Sequence, residues 1–264
     1  MKALGIDIGS LNTKAVILTG GSAFTSSIVP SGDDAEKSAR AAIGAAQHQV
    51  GLGNETDWFI VATGAGSKSL TFTQQQKSIT TCVARGTNFI FPTARMVIDI
   101  GAESGAVLKI NERGRLNDWA SHDKCAAGTG IFLQQMAKLM QISIEEMSRL
   151  SMLAKARADI TGTCAVFAES EVISHVHRQP PTPKEVIIAG IYYSVVTRII
   201  GLCKRVNIEK EIAITGGVAL NKGVVHMLET ELGCSLLVPQ LPQVIGALGA
   251  ALIARENIEK GAAK

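Results

Sequence analysis

Short apolar runs that end at glycine turns alternate along this chain with longer stretches spaced for helices. The first, Ala3-Leu4-Gly5-Ile6-Asp7-Ile8-Gly9-Ser10-Leu11-Asn12-Thr13-Lys14-Ala15-Val16-Ile17-Leu18, reads as strand, tight turn, strand. An Ala-rich helix is predicted from about Asp33 to Gln49, a strand over Trp58–Thr63, and a helix from about Thr73 to Arg85. Pro30, with Ser31 and Gly32 after it, marks a loop.

The opening pattern returns in altered form over Met96–Ile110, with the turn Asp99-Ile100-Gly101-Ala102-Glu103-Ser104-Gly105. A repeated strand-turn-strand unit implies two similar α/β lobes. Helices are then predicted from about Thr129 to Met140, from about Ser143, after Cys164, and from about Pro183 to Val206. A strand Glu211–Thr215 ends in Gly216-Gly217, and Gln243–Asn257 reads as a closing helix. The expected division is a first lobe over 1–92, with the segment 243–264 packing back on it, and a second lobe over 93–242.

Composition agrees with a folded α/β chain of 264 residues: 46% are apolar, 19% charged and 4% aromatic. That length suffices for one large domain or two lobes of roughly 100 residues or more. The net charge of +3 comes without Lys/Arg runs, so no nucleic-acid partner is expected. The start Met1-Lys2-Ala3-Leu4-Gly5 lacks a signal-peptide layout, and no window reads as a membrane span. The expectation is a cytoplasmic protein without a membrane partner. Five cysteines, an odd number, argue against a disulfide framework and for thiols that are buried, metal-bound or reactive.

The repeated turn carries legible chemistry. Gly9 and Gly101 remove the Cβ that would keep a phosphate from the backbone, whose N–H groups can then cradle it. Asp7 and Asp99 would face each other across a cleft, where carboxylates suit a hydrated Mg²⁺. Ser10, Asn12, Thr13 and Lys14 add hydroxyl, amide and ammonium groups for phosphate oxygens. One Asp-x-Gly turn is an ordinary hairpin signal, and two in the same frame are more specific. A third glycine turn, Thr215-Gly216-Gly217-Val218-Ala219-Leu220-Asn221, offers bare backbone for an adenosine. Together they favour a site for ATP or ADP.

Two cysteines stand in unusual surroundings: Cys125 in Lys124-Cys125-Ala126-Ala127-Gly128-Thr129-Gly130, and Cys164 in Cys164-Ala165-Val166-Phe167-Ala168-Glu169-Ser170-Glu171-Val172-Ile173-Ser174. Spacing alone leaves three readings: small buried hydrophobes, ligands of a bridging zinc, or iron–sulfur thiolates. Cys82, Cys203 and Cys234 receive no role. Thr63-Gly64-Ala65-Gly66-Ser67-Lys68-Ser69 lacks the spacing of a phosphate loop and reads as a strand-end turn. His175 and His177, two apart on a helix, read as a solvated or interface pair, and Met136, Met140, Met147 and Met152 as helix core.

With these motifs the chain resembles the ATPase superfamily of actin, the heat-shock chaperone ATPases and the sugar kinases. That resemblance implies a two-lobed actin-like fold with duplicated ribonuclease-H-like lobes. The Cys125, Cys164 and Gly216-Gly217 motifs resemble more closely the BadF/BadG/BcrA/BcrD-type ATPases, which include activators of 2-hydroxyacyl-CoA dehydratases and ATP-binding subunits of benzoyl-CoA reductase. It covers essentially the whole chain. It implies ATP-driven transfer of a low-potential electron through one 4Fe-4S cluster per dimer, with Cys125 and Cys164 of two identical or related subunits as ligands. The arithmetic agrees, since a cubane takes four thiolates and a two-fold axis doubles two cysteines. The second lobe would carry both cysteines and the adenosine loop.

The same resemblance implies an iron–sulfur acyl-CoA reductase or dehydratase component as acceptor, with reduced ferredoxin or flavodoxin as donor. Asp7 and Asp99 would manage Mg²⁺ and the attacking water, and Gly9, Ser10, Asn12, Thr13, Lys14, Gly101, Ala102 and Glu103 would line the phosphates. Gly216, Gly217 and Asn221 would hold the adenosine, and Glu169 would help orient water. The competing functions are a small-molecule kinase and a non-catalytic ATP-binding scaffold on the same fold. Departures matter too: where dehydratase activators tend to carry Gly-Gly-Gln-Asp-Ser-Lys, this chain has Gly101-Ala102-Glu103-Ser104-Gly105-Ala106, more like the smaller ATP-binding subunit of benzoyl-CoA reductase. Val83 stands where many activators carry His before Ala-Arg-Gly.

Overall fold

The first apolar run folds into an antiparallel hairpin, β1 (Lys2–Ile8) and β2 (Asn12–Gly20), with Asp7 opposite Lys14. This is a computed structural model that describes residues 2–52, 57–122, 129–162 and 164–262. A third strand, β3 (Ala23–Pro30), pairs with β2, so the segment ending at Pro30 is strand where the sequence predicts a loop boundary. Pro30 is tolerated because β3 is an edge strand and Pro30 is its last residue. Helix α1 (Ala35–Gln49) begins after Asp34, whose carboxylate accepts from the Lys37 N–H.

Strand β4 (Trp58–Thr63) lies parallel to β1 and places Thr63 beside Asp7. The predicted helix at Thr73 starts later: Gln74 and Lys77 bond to β4 carbonyls, and β5 (Gln75–Gln76) extends the sheet. Ser78 then caps α2 (Ile79–Ile90) by accepting from the Thr81 N–H. The sheet order is β3-β2-β1-β4-β5.

The second sheet repeats the arrangement. Strand β6 (Met96–Ile100) pairs antiparallel with β7 (Gly105–Ile110) and parallel with β9 (Ile212–Thr215); β8 (Leu116–His122) adds the outer edge in the order β8-β7-β6-β9. Strand β8 is not signalled by the sequence, because Asn117, Asp118 and Trp119 are exposed and interrupt the apolar pattern. Among the described residues, this half also holds the helices α3 (Gly130–Leu139), α4 (Ile144–Ser151), α5 (Ala165–His177), α6 (Lys184–Arg205) and α7 (Lys222–Leu232). The last helix, α8 (Ile245–Ala262), packs on β1, β4 and α2.

The chain forms two units, one of Met1–Arg95, Ile110–Asn117 and Pro239–Lys264, the other of Met96–Lys109 and Asp118–Val238. In the first, Leu4, Ile6 and Ile8 pack on Ala39, Ala42 and Ala46, while Ala3 meets Ala250 and Ile253 on the other face. Both faces of β1 are therefore covered, which is why it reads as a continuous apolar run. In the second, Ile98, Ile100, Phe132, Tyr192 and Val195 share one core. Helix α6 corrects the expectation that no window reads as a membrane span, having a mean hydropathy of 1.9 over an 18-residue window. Its buried residues, Ile187, Ile188, Ile191, Val195, Val196 and Ile199 among them, belong to this core.

Candidate functional site

The turn after β1 is tightly braced. The Gly9 N–H donates to the Asn12 carbonyl at 3.1 Å, and the Ser31 hydroxyl donates to the Gly9 carbonyl at 2.6 Å. Asp7 is nearly buried and pairs with Lys14, Nζ to Oδ2 at 3.2 Å. A Cβ on Gly9 would lie 2.9 Å from that ammonium, so the lysine covers the turn. Ser10 is exposed and Asn12 half-buried. Strand alternation turns Thr13 inward, where its hydroxyl bonds with Ser31 at 3.0 Å and Ser38 at 3.2 Å. The Thr13 side chain therefore braces the turn and does not face outward with its neighbours.

The turn after β6 has the same beginning: the Gly101 N–H donates to the Ser104 carbonyl at 2.8 Å. Asp99 accepts from the Thr215 hydroxyl at 2.8 Å. Ala102 is half-buried and Glu103 exposed. The carbonyls of Gly101 and Ala102 accept from the N–H groups of Gly130 and Ile131 at 3.0 and 2.9 Å. The start of α3 is thus bonded to this turn. Cys125, five residues upstream of Gly130, lies outside the described residues.

At the third turn, Gly216 has φ +85°, and a Cβ there would strike the Ile100 carbonyl. Gly217 is exposed and opens a short 3-10 turn, Gly217–Leu220. Asn221 is buried and its amide is committed at both ends: Oδ1 accepts from the Val224 N–H at 3.2 Å, and Nδ2 donates to the Tyr192 hydroxyl at 2.8 Å. It caps α7 and ties the turn to α6. Val218 lies against Gly130, so the second and third turns both touch the start of α3.

Cys164 is the N-cap residue of α5, half-buried, with no side-chain capping bond. Its surroundings differ from those of Cys82 and Cys203, which are fully buried and whose thiols burial pushes up to about 12. Cys234 is half-buried at the core edge. Glu169 is exposed on α5, whereas Glu171 accepts from the Thr161 N–H at 2.6 Å. His177 is exposed and His175 Nδ1 bonds with the Thr182 hydroxyl at 3.0 Å. Met136, Met140 and Met147 are core, but Met152 is exposed and departs from the expected core role.

The family model described as "BadF/BadG/BcrA/BcrD ATPase family" matches residues 4–254. The chain belongs to this family. It is 40% identical over 260 residues to the 2-hydroxyisocaproyl-CoA dehydratase activator of Clostridioides difficile, covering 98% of this chain and 97% of the relative. It is 41% identical over 259 residues to the (R)-2-hydroxyglutaryl-CoA dehydratase activating ATPase of Acidaminococcus fermentans, covering 97% and 98%. Identity to a benzoyl-CoA reductase component of Thauera aromatica is 32% over 260 residues, covering 94% and 91%. The solved structure of the Clostridium difficile activator with bound ADPNP superposes with a TM-score of 0.90 at 39% identity, covering 99% of this chain and 97% of that one. An archaeal actin homolog, at TM-score 0.58 and 16% identity, covers 97% and 100% and shows the actin-like fold.

In this BadF/BadG/BcrA/BcrD-type ATPase the donors present can be compared with the groups its family implies. Cys164 supplies a soft thiol, outside any disulfide and with no side-chain capping bond, at the start of a helix whose first amides favour negative charge. Among the described residues, no group of three or more His, Cys, Asp or Glu stands together to hold a metal. Asp7 and Asp99 each stand one residue before a strand's end, next to a glycine turn, as oxygen donors to a hydrated Mg²⁺ would. Thr215, Gly130 and Glu171 were missed as contributors. Only Thr215 had a legible signal, its place directly before the paired glycines.

Proposed function

We propose that this ATPase activates an acyl-CoA dehydratase or reductase component by delivering single low-potential electrons at the expense of ATP. The observation that carries the reading is Cys164, a half-buried, uncapped thiol at the head of a helix in a chain that matches dehydratase activators from end to end. Cys125 and Cys164 of two protomers would hold one 4Fe-4S cluster, and Cys164, the one of the two among the described residues, fits it in kind. Bound there, such a cluster would supply a one-electron couple whose potential depends on hydrogen bonds to sulfur and on exposure.

The dimer reading is supported by α5, the helix that Cys164 opens, where Val166, Phe167, Ile173 and Val176 are exposed. Glu169, on the same helix and exposed, suits contact with a partner better than positioning a water, a task that needs a held carboxylate. Asp7 would hold Mg²⁺ after Lys14 turns from it toward a phosphate. Ser10, Asn12 and the backbone of Gly9 would complete the first phosphate loop, and Gly101, Ala102, Glu103 and Asp99 the second. Gly216 and Gly217 would lie against the adenosine, with Asn221 holding their turn in shape.

Because the start of α3 bonds to Gly101 and Ala102 and touches Val218, a nucleotide that shifts either turn would move the start of α3. The acceptor favoured is a dehydratase-type component, since identity to the activators exceeds identity to the benzoyl-CoA reductase relative, even with the turn sequence at Gly101–Ala106. Reduced ferredoxin or flavodoxin is the proposed donor.

The test mixes the anaerobically reduced protein with Mg-ATP and a purified 2-hydroxyacyl-CoA dehydratase component. The expected result is one-electron reduction of that component that requires ATP, with phosphate released to water. Reduction that proceeds equally without nucleotide, or label from ATP appearing on a small molecule, would overturn the proposal.

A further inference from the structure

The segment 158–162, shortly before Cys164, is clamped although it belongs to no helix or strand. The Ala158 N–H donates to the Val186 carbonyl at 2.9 Å. Gly190 makes room for the Ala158 carbonyl, and a Cβ on Gly162 would lie 2.8 Å from the Ser194 carbonyl. The segment is thus seated along α6. A second restraint comes from α5, where Glu171 Oε2 accepts from the Thr161 N–H at 2.6 Å. That bond closes a ring of chain from Thr161 to Glu171 with Cys164 inside it.

We propose that Glu171 is a positioning residue that ties the backbone at Thr161 to α5 and so restrains the Cys164 thiol at the head of that helix. The inference rests on the cluster reading for its purpose, because a shared cluster needs ligands held before it binds. The side chain's reach suits the task, since its terminal oxygen meets a backbone N–H ten residues away at 2.6 Å. Glu171 follows buried Ala168 by three positions and exposed Phe167 by four, which sets it at the border of the buried face of α5, half-buried and bonded to the segment. Exposed Glu169 lacks this geometry.

The test uses the full-length chain, purified anaerobically, with Glu171→Ala, Glu171→Asp and Glu171→Gln. Asp retains the charge but withdraws the acceptor by one methylene, while Gln retains an acceptor at the same reach. One readout is iron release to a chelator; the other, on iron-free protein, is alkylation of Cys164 by iodoacetamide relative to half-buried Cys234. Ala and Asp are expected to raise the Cys164 to Cys234 alkylation ratio by about tenfold and to hasten iron release similarly, with Gln close to the parent. A ratio within about twofold of the parent in both Ala and Asp, or Gln as reactive as Ala, overturns the positioning role. Because alkylation is read without iron, a parent protein that never holds iron would retract the cluster reading while the alkylation ratio still decides the role of Glu171. Should Glu171→Ala not fold, Glu171→Asp carries the same decision.

Discussion

Gly64 and Gly216 occupy equivalent places in the two halves of the chain. Each follows a threonine paired in parallel with a turn aspartate, Thr63 beside Asp7 and Thr215 beside Asp99. Their backbones nearly coincide, φ +87° and ψ 172° against φ +85° and ψ 176°. A Cβ at either would strike the carbonyl of the residue after the aspartate, Ile8 or Ile100. The duplication is therefore one of backbone geometry, deeper than the repeated Asp-Ile-Gly.

Gly216→Ala combines a disfavoured φ with a clash against backbone, and should destabilise the protein by about 2–4 kcal/mol. Gly201→Ala is the control, because nothing lies within 4 Å of its added Cβ and it sits in α6. That change should stabilise by about 0.5–1 kcal/mol. Urea titrations of the two variants check the contrast, and equal midpoints would refute it.

Asn221 and Tyr192 join the third turn to the core of the second unit. Asn221→Ala should cost about 2–3 kcal/mol, combining a lost helix cap with a buried phenol deprived of its partner. Tyr192→Phe should cost less, about 1 kcal/mol. A double-mutant cycle measures the shared part, and strict additivity would show that the 2.8 Å bond contributes nothing.

Under the proposed function Asp7→Asn should lower nucleotide turnover by at least about a hundredfold, since a neutral amide replaces the carboxylate meant for Mg²⁺. Thr13→Val should act mainly on stability, because its hydroxyl is spent on Ser31 and Ser38. Phosphate release and thermal midpoints, measured side by side, separate the two effects. An Asp7→Asn protein with parental turnover would sink the assignment of the first turn.

Burial raises the thiols of Cys82 and Cys203 from 9.0 to about 12, and the Tyr192 phenol from 10.0 to about 12. Their folded pKa values exceed the unfolded ones, so the stability they confer is complete below pH 9 and is lost as the pH rises toward 12. Between those limits each thiol should contribute a fall of about 1.4 kcal/mol per pH unit. Urea midpoints at pH 8, 9 and 10 should show the decline, with a shallower slope in Cys82→Ala/Cys203→Ala. An unchanged slope in that variant would contradict the burial argument.

Much of this architecture was legible because its strands are covered on both faces and end at glycines. The hairpin at Gly9, its repeat at Gly101 and the turn at Gly216 all stood out for that reason. Strand β8 did not, because its edge position exposes Asn117, Asp118 and Trp119 and breaks the pattern. Within the candidate site, residue type pointed to Thr13 and Asn221 as ligand groups. Strand alternation turned Thr13 inward, and capping of α7 consumed the Asn221 amide. Glu171 was invisible because its partner is a backbone N–H ten residues away, a contact that residue types do not encode.

The most direct test of the central claim is iron and acid-labile sulfide per protomer on anaerobically purified protein, with Cys125→Ser and Cys164→Ser alongside. The account predicts about two irons and two sulfides per protomer, lost in both variants, as one cluster shared by two chains requires. An iron-free protein that still hydrolyses ATP, or one whose iron survives both substitutions, would contradict it.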